Sequence, residues 1–341
     1  MSMRNELRGP NQTRPAWYRN VARGAQTIHK ANPNALVIVS GLSFDTDLSF
    51  LAQSPLRNNY DNKLVLEAHW YAFSEGKRQE WAEKPLAQVC PGSAERFDAR
   101  AGFFTRRVNG TVPLFVSEFG GDQRGTNRAD NSFLSCFMAF AAERDLDWAL
   151  WALQGSYYWR SGVEGFEETY GVLDSGWARP KYPKFREKFR FIQEMIQDPR
   201  SSTGFYQIIY HPPTGQCLAH DRENNVVVLR DCEGRARWRY NGEGDPILLV
   251  SNATVCLRLV GVGQPVQVSE KCDDTQSFWR VGSSAGFGLI GEYANGTELC
   301  MERDSADASL VLTRECICRH GSACSDDPRH QWFKIISSNI V

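Results

Sequence analysis

Two glutamates, Glu118 and Glu6, are the residues of this 341-residue sequence best placed to do chemistry. Glu118 follows the apolar run Leu114-Phe115-Val116, the kind of run that a parallel sheet buries on both faces, and Gly120-Gly121 just beyond it permits a sharp turn. Glu6 follows Asn5 near the end of the opening segment MSMRNELRG. His69 and Tyr71 close the stretch Leu64 to Tyr71, and Trp151 lies within Asp147 to Leu153. A single strand-ending glutamate is ordinarily solvated, as a single histidine or tryptophan is ordinarily packing. Two carboxylates facing one another across a cleft do what glycoside hydrolysis requires: one stays ionised to attack the anomeric carbon, the other delivers a proton to the leaving oxygen. An aromatic platform and hydrogen-bonding side chains suit a sugar ring, whose faces stack while its hydroxyls bond.

These residues need strands to carry them. Residues 1–9 read as a strand end with Asn5 and Glu6 at its tip. Thr13 reads as the cap of a helix with Pro15 in its first turn, Trp17, Val21, Ala25 and Ile28 at helical spacing, and a stop at Asn32-Pro33. Strands are predicted at Leu36 to Val39 and Leu64 to Tyr71, then a helix around Phe97 to Arg107 and the Glu118 strand. A helix near Asn131 to Arg144 and a strand at Asp147 to Leu153 follow, and Phe185, Phe189, Ile192 and Ile196 suggest a last amphipathic helix. Alternating strands and helices are the signature of a parallel α/β fold, with chemistry at the strand ends. About five strand-helix units are visible before residue 198, where a closed barrel has eight. The expectation is a chain that lacks three units at its front, whose activity and stability are thereby impaired.

The formal net charge of -1, with lysine and arginine scattered, points to neither nucleic acid nor an anionic membrane as partner. No apolar run approaches the length of a membrane span, and the opening ten residues hold no signal-peptide core. The cysteines nevertheless point to an oxidising compartment. Eight of the ten lie beyond residue 216, and Cys217 to Cys232, Cys256 to Cys272 and Cys300 to Cys316 span 15, 16 and 16 residues, a repeated loop that reads as three local disulfides. Cys318 and Cys324 read as a fourth, although Cys316, Cys318, His320 and Cys324 also have zinc-like spacing; the disulfide reading implies no metal. Cys90 and Cys136 are left, and spacing alone does not decide whether they pair. Four Asn-x-Ser/Thr sequons, at Asn11, Asn109, Asn252 and Asn295, fit a secretory route. An extracellular parent protein with more sequence upstream is the expectation.

Asn5-Glu6, His69-x-Tyr71, Ser117-Glu118-Phe119-Gly120 and Trp151 in WALWALQGSYY resemble the second half of a glycoside hydrolase family 5 catalytic domain. Plant cellulase-like members of that family carry a C-terminal ricin B-type lectin domain, and nearly the whole chain is similar to them. The resemblance implies that Glu118 is the nucleophile and Glu6 the acid/base of a retaining double displacement. It implies further that Asn5 bonds the sugar 2-hydroxyl, Tyr71 orients Glu118, His69 contacts substrate and Trp151 floors the subsite being cleaved. The family's proline after Asn-Glu is Leu7 here, and the arginine and histidine it takes from earlier strands have no counterpart. No cofactor is implied.

Beyond the breaker Asp198 to Gly204 the sequence repeats: Cys217-Leu218 to Trp238, Cys256-Leu257 to Trp279, Cys300-Met301 to Trp332. Three units of roughly forty residues, each too small for a core of its own, suggest a β-trefoil. The Cys-Leu and Trp positions resemble ricin B-type lectins, whose glutamine before the tryptophan is replaced by Ala236, Ser277 and His330. Where such lectins place a sugar-binding aspartate, the sequence has Ala219, Arg258 and Glu302. The expected architecture is thus α/β plus all-β: part of a (β/α)8 TIM barrel over residues 1–198, a linker at 199–203 and a ricin B-like trefoil over 204–341. The expected function is retaining hydrolysis of β-linked polysaccharide, endoglucanase-like or mannanase-like, with an oligosaccharide or polysaccharide as partner and a glycan as a further partner of the trefoil. A carbohydrate-binding protein with an inactive catalytic half, or a nonfunctional fragment, is the alternative.

Overall fold

Helix α1 (Arg14–Ala31) forms where its caps predict. Thr13, in extended backbone, accepts the Ala16 N–H through its hydroxyl, Pro15 occupies the first turn, and the helix stops at Asn32 before Pro33. Its inner face buries Trp17, Val21 and Ala25, and the Trp17 indole donates to the Ser40 carbonyl at 2.9 Å. The computed structural model of the chain describes residues 1–56, 62–106, 112–318 and 328–340, and these form two compact units.

The first unit comprises Met1–Gln79, Gly92–Asp130 and Leu146–Lys181. Its sheet has four parallel strands in chain order: β1 (Val37–Ser40), β2 (Leu64–His69), β3 (Leu114–Phe119) and β4 (Asp147–Leu150). Val37, Val39, Leu64, Leu66, Ala68, Leu114, Val116 and Phe119 are buried, whereas the intervening Ile38, Val65 and Phe115 are only partly so, which makes one face of the sheet the more deeply covered. On the outer edge of β1 the opening segment adds a parallel bridge from Ser2 to Ile38, fixed by Met3 N–H to Ile38 O at 3.1 Å. Helices α2 (Arg78–Glu83) and α3 (Leu86–Arg100) precede β3 in the chain, and α4 (Arg128–Arg144) precedes β4. The strand predicted to run to Leu153 ends at Leu150.

The second unit comprises Glu80–Pro91, Asn131–Asp145 and Tyr182–Val341. Cys90 and Cys136 lie within it and are bonded to one another. The amphipathic helix predicted through Phe185, Phe189, Ile192 and Ile196 is interrupted. A five-residue helix, α5 (Pro183–Glu187), is followed by a single 3-10 turn at Phe191–Gln193 and by extended backbone at Glu194. All four apolar residues are buried, but the Asp145 carboxylate accepts the Ile196 and Gln197 N–H groups at 3.0 Å each, which takes their donors away from a helical ladder.

From Tyr206 onward the unit is all β, with an eight-stranded and a five-stranded antiparallel sheet. The three local disulfides close as their spacing predicts, Cys217 to Cys232, Cys256 to Cys272 and Cys300 to Cys316. Cys324, the expected partner of Cys318, lies outside the described residues, as do His320 and the sequon at Asn109. One apolar core takes the residue after each repeat's first cysteine, Leu218, Leu257 and Met301, together with Trp238 and Trp279. The third core aromatic is Phe333, and the Trp332 expected there lines a cavity of about 240 Å³ with Phe287 and Ile317. The residue two ahead of that aromatic is therefore Gln331 rather than His330.

Gln331 donates to Glu302 at 2.7 Å, and Arg314 pairs with the other Glu302 oxygen at 3.1 Å. In the second repeat Arg258 grips both Asp274 oxygens at 2.6 and 2.9 Å and reaches the Ser277 hydroxyl at 3.1 Å. Both polar side chains two residues past a first cysteine are thus bound internally, and Ala219 in the first repeat is buried and apolar.

His211 sits under this core, its Nε2 bonded to the Arg329 carbonyl at 3.0 Å and its Nδ1 to Thr214 Oγ1 at 2.9 Å. Burial disfavours the imidazolium and lowers its pKa from 6.5 to about 3. The unfolded chain binds the proton first, so this group's contribution is complete above pH 6.5 and declines as pH falls toward 3, by about 1.4 kcal/mol per unit. We expect chemical denaturation at stepped pH to show that decline in the native protein and a shallower one in His211→Gln; equal slopes would mean that His211 is not buried neutral.

Candidate active site

The parallel register of the sheet sets His69, the last residue of β2, opposite Glu118 near the end of β3. The register shifts after Ala68 on one strand and after Val116 on the neighbouring pair, irregularities of the sort that redirect side chains at strand ends. His69 Nδ1 lies 3.4 Å from Glu118 Oε2 and 3.2 Å from Glu6 Oε1, so one imidazole touches both predicted carboxylates. An oxygen of Glu6, the His69 nitrogen and an oxygen of Glu118 all lie within 4.8 Å of one another. His69 is 3% exposed, whereas the Glu6 and Glu118 side chains keep 25% and 15%, which leaves the carboxylates open to a ligand. The same three residues have the makings of a metal site by ligand type.

Tyr71 donates its hydroxyl to Glu118 Oε2 at 3.0 Å. Burial and the neighbouring Glu118 push the phenol well above its ordinary pKa, so it remains a donor. Trp151, half-buried just past β4, is fixed by its N–H to the Phe119 carbonyl at 2.8 Å. Gly120 makes that approach possible, since a Cβ there would lie 2.5 Å from the Trp151 carbonyl oxygen. Asn5 is exposed, and among the described residues its side chain joins none of these hydrogen bonds.

Two groups of residues escaped the sequence reading. Asp45, in the loop after β1, is fully buried; it accepts the Glu6 N–H on Oδ2 at 2.8 Å, and the same oxygen is 3.7 Å from His69 Nε2. Glu6, close to the start of the chain, is thereby held. The second group lies behind Tyr71: Arg78 donates to the Tyr170 hydroxyl at 3.0 Å and pairs with buried Asp130 at 3.2 Å, and Asp130 accepts the Asp122 N–H at 2.9 Å, which ties down the loop after β3. A strand-end loop is where such residues are to be sought, but neither group has a periodic signal.

The protein-family model described as Cellulase (glycosyl hydrolase family 5) matches residues 1–156, a stretch that contains Asn5, Glu6, His69, Tyr71, Glu118 and Trp151. The chain is also 42% identical over 352 residues to a "Glycosyl hydrolase 5 family protein" of Chamaecyparis obtusa, an alignment that takes in 99% of this chain and 62% of that protein. The chain thus spans less than two thirds of that relative. Among solved structures, the catalytic domain of the major endoglucanase of Xanthomonas campestris pv. campestris is 19% identical, with 56% of this chain and 54% of that one covered and a TM-score of 0.44. An endocellulase of Pyrococcus horikoshii, solved with cellotetraose, is 16% identical over 54% of this chain and 50% of its own, with a TM-score of 0.40.

At this site the electrostatics centre on Glu118. Burial raises its pKa, and Glu6 and Glu67 act in the same direction, while His69 and the Tyr71 hydroxyl oppose the rise. Removing the hydroxyl therefore moves the titration in one direction only. In Tyr71→Phe the Glu118 carboxyl should titrate at higher pH than in the native protein, read by carbon NMR of glutamate labelled at its side-chain carboxyl. An unchanged midpoint would mean that the Tyr71 bond contributes nothing in solution.

Proposed function

We propose that this chain carries the catalytic centre of a retaining glycoside hydrolase acting on β-linked polysaccharide, endoglucanase-like or mannanase-like, with Glu118 as nucleophile and Glu6 as acid/base. The observation that carries the reading is the closeness of the two carboxylates, one oxygen of each lying within 4.8 Å of the other across His69. Retaining enzymes hold their pair about 5–5.5 Å apart, whereas inverting enzymes leave about 6.5–9.5 Å for a water molecule. In the first step Glu118 attacks the anomeric carbon and a proton from Glu6 leaves with the departing oxygen; in the second Glu6 takes a proton from water as it displaces Glu118. Tyr71 and His69 donate toward Glu118 and stabilise its ionised form, and Trp151 offers a face for the sugar being cleaved. Asn5, exposed beside Glu6, is the group that would reach the sugar 2-hydroxyl.

The same reading takes the parallel sheet as part of a (β/α)8 barrel over residues 1–198, joined by 199–203 to a ricin B-like trefoil over 204–341. Three disulfides, each local to a repeat, and the shared core of Leu218, Leu257 and Met301 support the trefoil. With Arg258 and Glu302 bonded internally and Ala219 buried, those three positions offer a sugar no free carboxylate, which weighs against the carbohydrate-binding alternative. The disulfides and the exposed sequons Asn11, Asn252 and Asn295 favour a secreted glycoprotein.

Stereochemistry tests the assignment. Glu118→Gln and Glu6→Gln should each lower hydrolysis of β-glucan or β-mannan by about 10²–10⁴-fold or more. With azide added, Glu118→Ala should yield the α-glycosyl azide, because the anion replaces the nucleophile in one displacement, and Glu6→Ala should yield the β-glycosyl azide, because it intercepts the glycosyl enzyme. Exchange of those two products would reverse the roles, and absence of turnover on every β-linked substrate would sink the reading.

A further inference from the structure

We propose that Asp45 is the positioning residue of this site: the loop from Leu42 to Asp47 clamps the Glu6 segment and the end of β2 so that Glu6 and His69 stay aligned with Glu118. The proposal rests on the glycosidase reading for its kinetic consequences but not for its geometry. Asp45 accepts the Glu6 N–H on its carboxylate at 2.8 Å and the His69 N–H on its backbone carbonyl at 3.0 Å. The preceding residue joins in, as Phe44 donates its N–H to the Leu7 carbonyl at 2.9 Å, and the Ser43 N–H goes to the Gln12 side chain at 2.8 Å. Consecutive residues of one loop thus hold Glu6 and the chain just after it, while the same loop fixes the backbone that carries the imidazole.

The loop has an unusual backbone for this purpose. Ser43, Phe44 and Asp45 have φ values of 55, 60 and 58°, three left-handed residues in succession with no glycine among them, and Glu6 itself stands at φ 45°. Such conformations are disfavoured locally and persist where surrounding contacts impose them, most often beside reacting groups. Here the loop also closes on itself, with the Thr46 and Asp47 N–H groups both 3.1 Å from the Leu42 carbonyl. Asp45 is fully buried and has no surface to offer a substrate, so it acts through Glu6 and His69.

The groups facing the Asp45 carboxyl are the Glu6 N–H, the His69 ring, Glu67 and the Ser40 hydroxyl. Burial dominates and, with Glu67, raises the carboxyl to about 6, while Glu6, His69 and Ser40 hold it down. The clamp therefore changes charge while its hydrogen-bond acceptor stays in place.

The test uses the full chain with nitrogen-15 glutamate, the variants Asp45→Asn and Asp45→Ala, and Glu118→Gln as reference. In the native protein the Glu6 amide proton should shift with pH through a midpoint of about 6, and Asp45→Asn should lose that titration. Asp45→Ala should lower kcat by about 100-fold with little change in KM, the size expected when a reacting group is displaced by about an ångström. Asp45→Asn, which keeps an oxygen for the Glu6 N–H, should restore most of that loss at low pH. A Glu6 amide that titrates identically in native protein and Asp45→Asn overturns the clamp, as does an Asp45→Ala enzyme with native kcat in a protein that Glu118→Gln inactivates. If Asp45→Ala does not fold, the Asp45→Asn titration decides. If the native chain turns over no β-linked substrate, the functional reading fails and the amide titration still judges the clamp.

Discussion

Carboxylates are expensive to take out of water unless donors meet them, and in the first unit of this chain the meeting point is one buried imidazole. His69 stands between Glu6, Glu118 and Asp45, within 3.2, 3.4 and 3.7 Å of an oxygen of each. Its position is set by strand pairing, because the parallel register of β2 and β3 puts it across from Glu118. Everything else in the site adjusts to that fixed ring. Tyr71 donates to the same Glu118 oxygen that the ring approaches, and Glu6 reaches the same ring nitrogen.

Much of this was legible in the order of residues, for an identifiable reason. Glu118 ends an apolar run flanked by glycines, and His69 with Tyr71 ends another, so sheet burial and strand termination both leave marks in the sequence. Asp45 left none. Its Ser-Phe-Asp context holds no glycine to betray left-handed backbone, and its role comes from tertiary bonds to residues nearly forty positions away. The same limit explains the misread last helix. Phe185, Phe189, Ile192 and Ile196 have helical spacing and are buried as a helix face would be, yet Asp145 takes the backbone donors that a helix would need. Trp332 misled in a related way, for the adjacent Phe333 enters the core and burial alone could not rank two neighbouring aromatics.

The all-β unit obeys a simpler rule. A residue after each repeat's first cysteine enters the shared core, so the cysteine itself is held at the core's edge, where its partner can reach it. One residue further on, the chain has turned its polar side chains back upon itself, Arg258 onto Asp274 and Glu302 onto Gln331. Stability and ligand capture compete for those positions, and in this chain stability has them.

Each of those three disulfides closes a loop of 15 or 16 residues inside its own repeat. Six cysteines could in principle pair in about fifteen ways. Here every partner follows within sixteen residues of the cysteine that needs it, before the next repeat's first cysteine appears in the chain. A ribosome delivering the polypeptide from its N-terminus into an oxidising compartment can therefore staple the repeats one at a time, each before the next exists to compete. A gene duplication that copied one repeat would carry a complete staple with it, which lets such a unit multiply without leaving an orphan thiol behind.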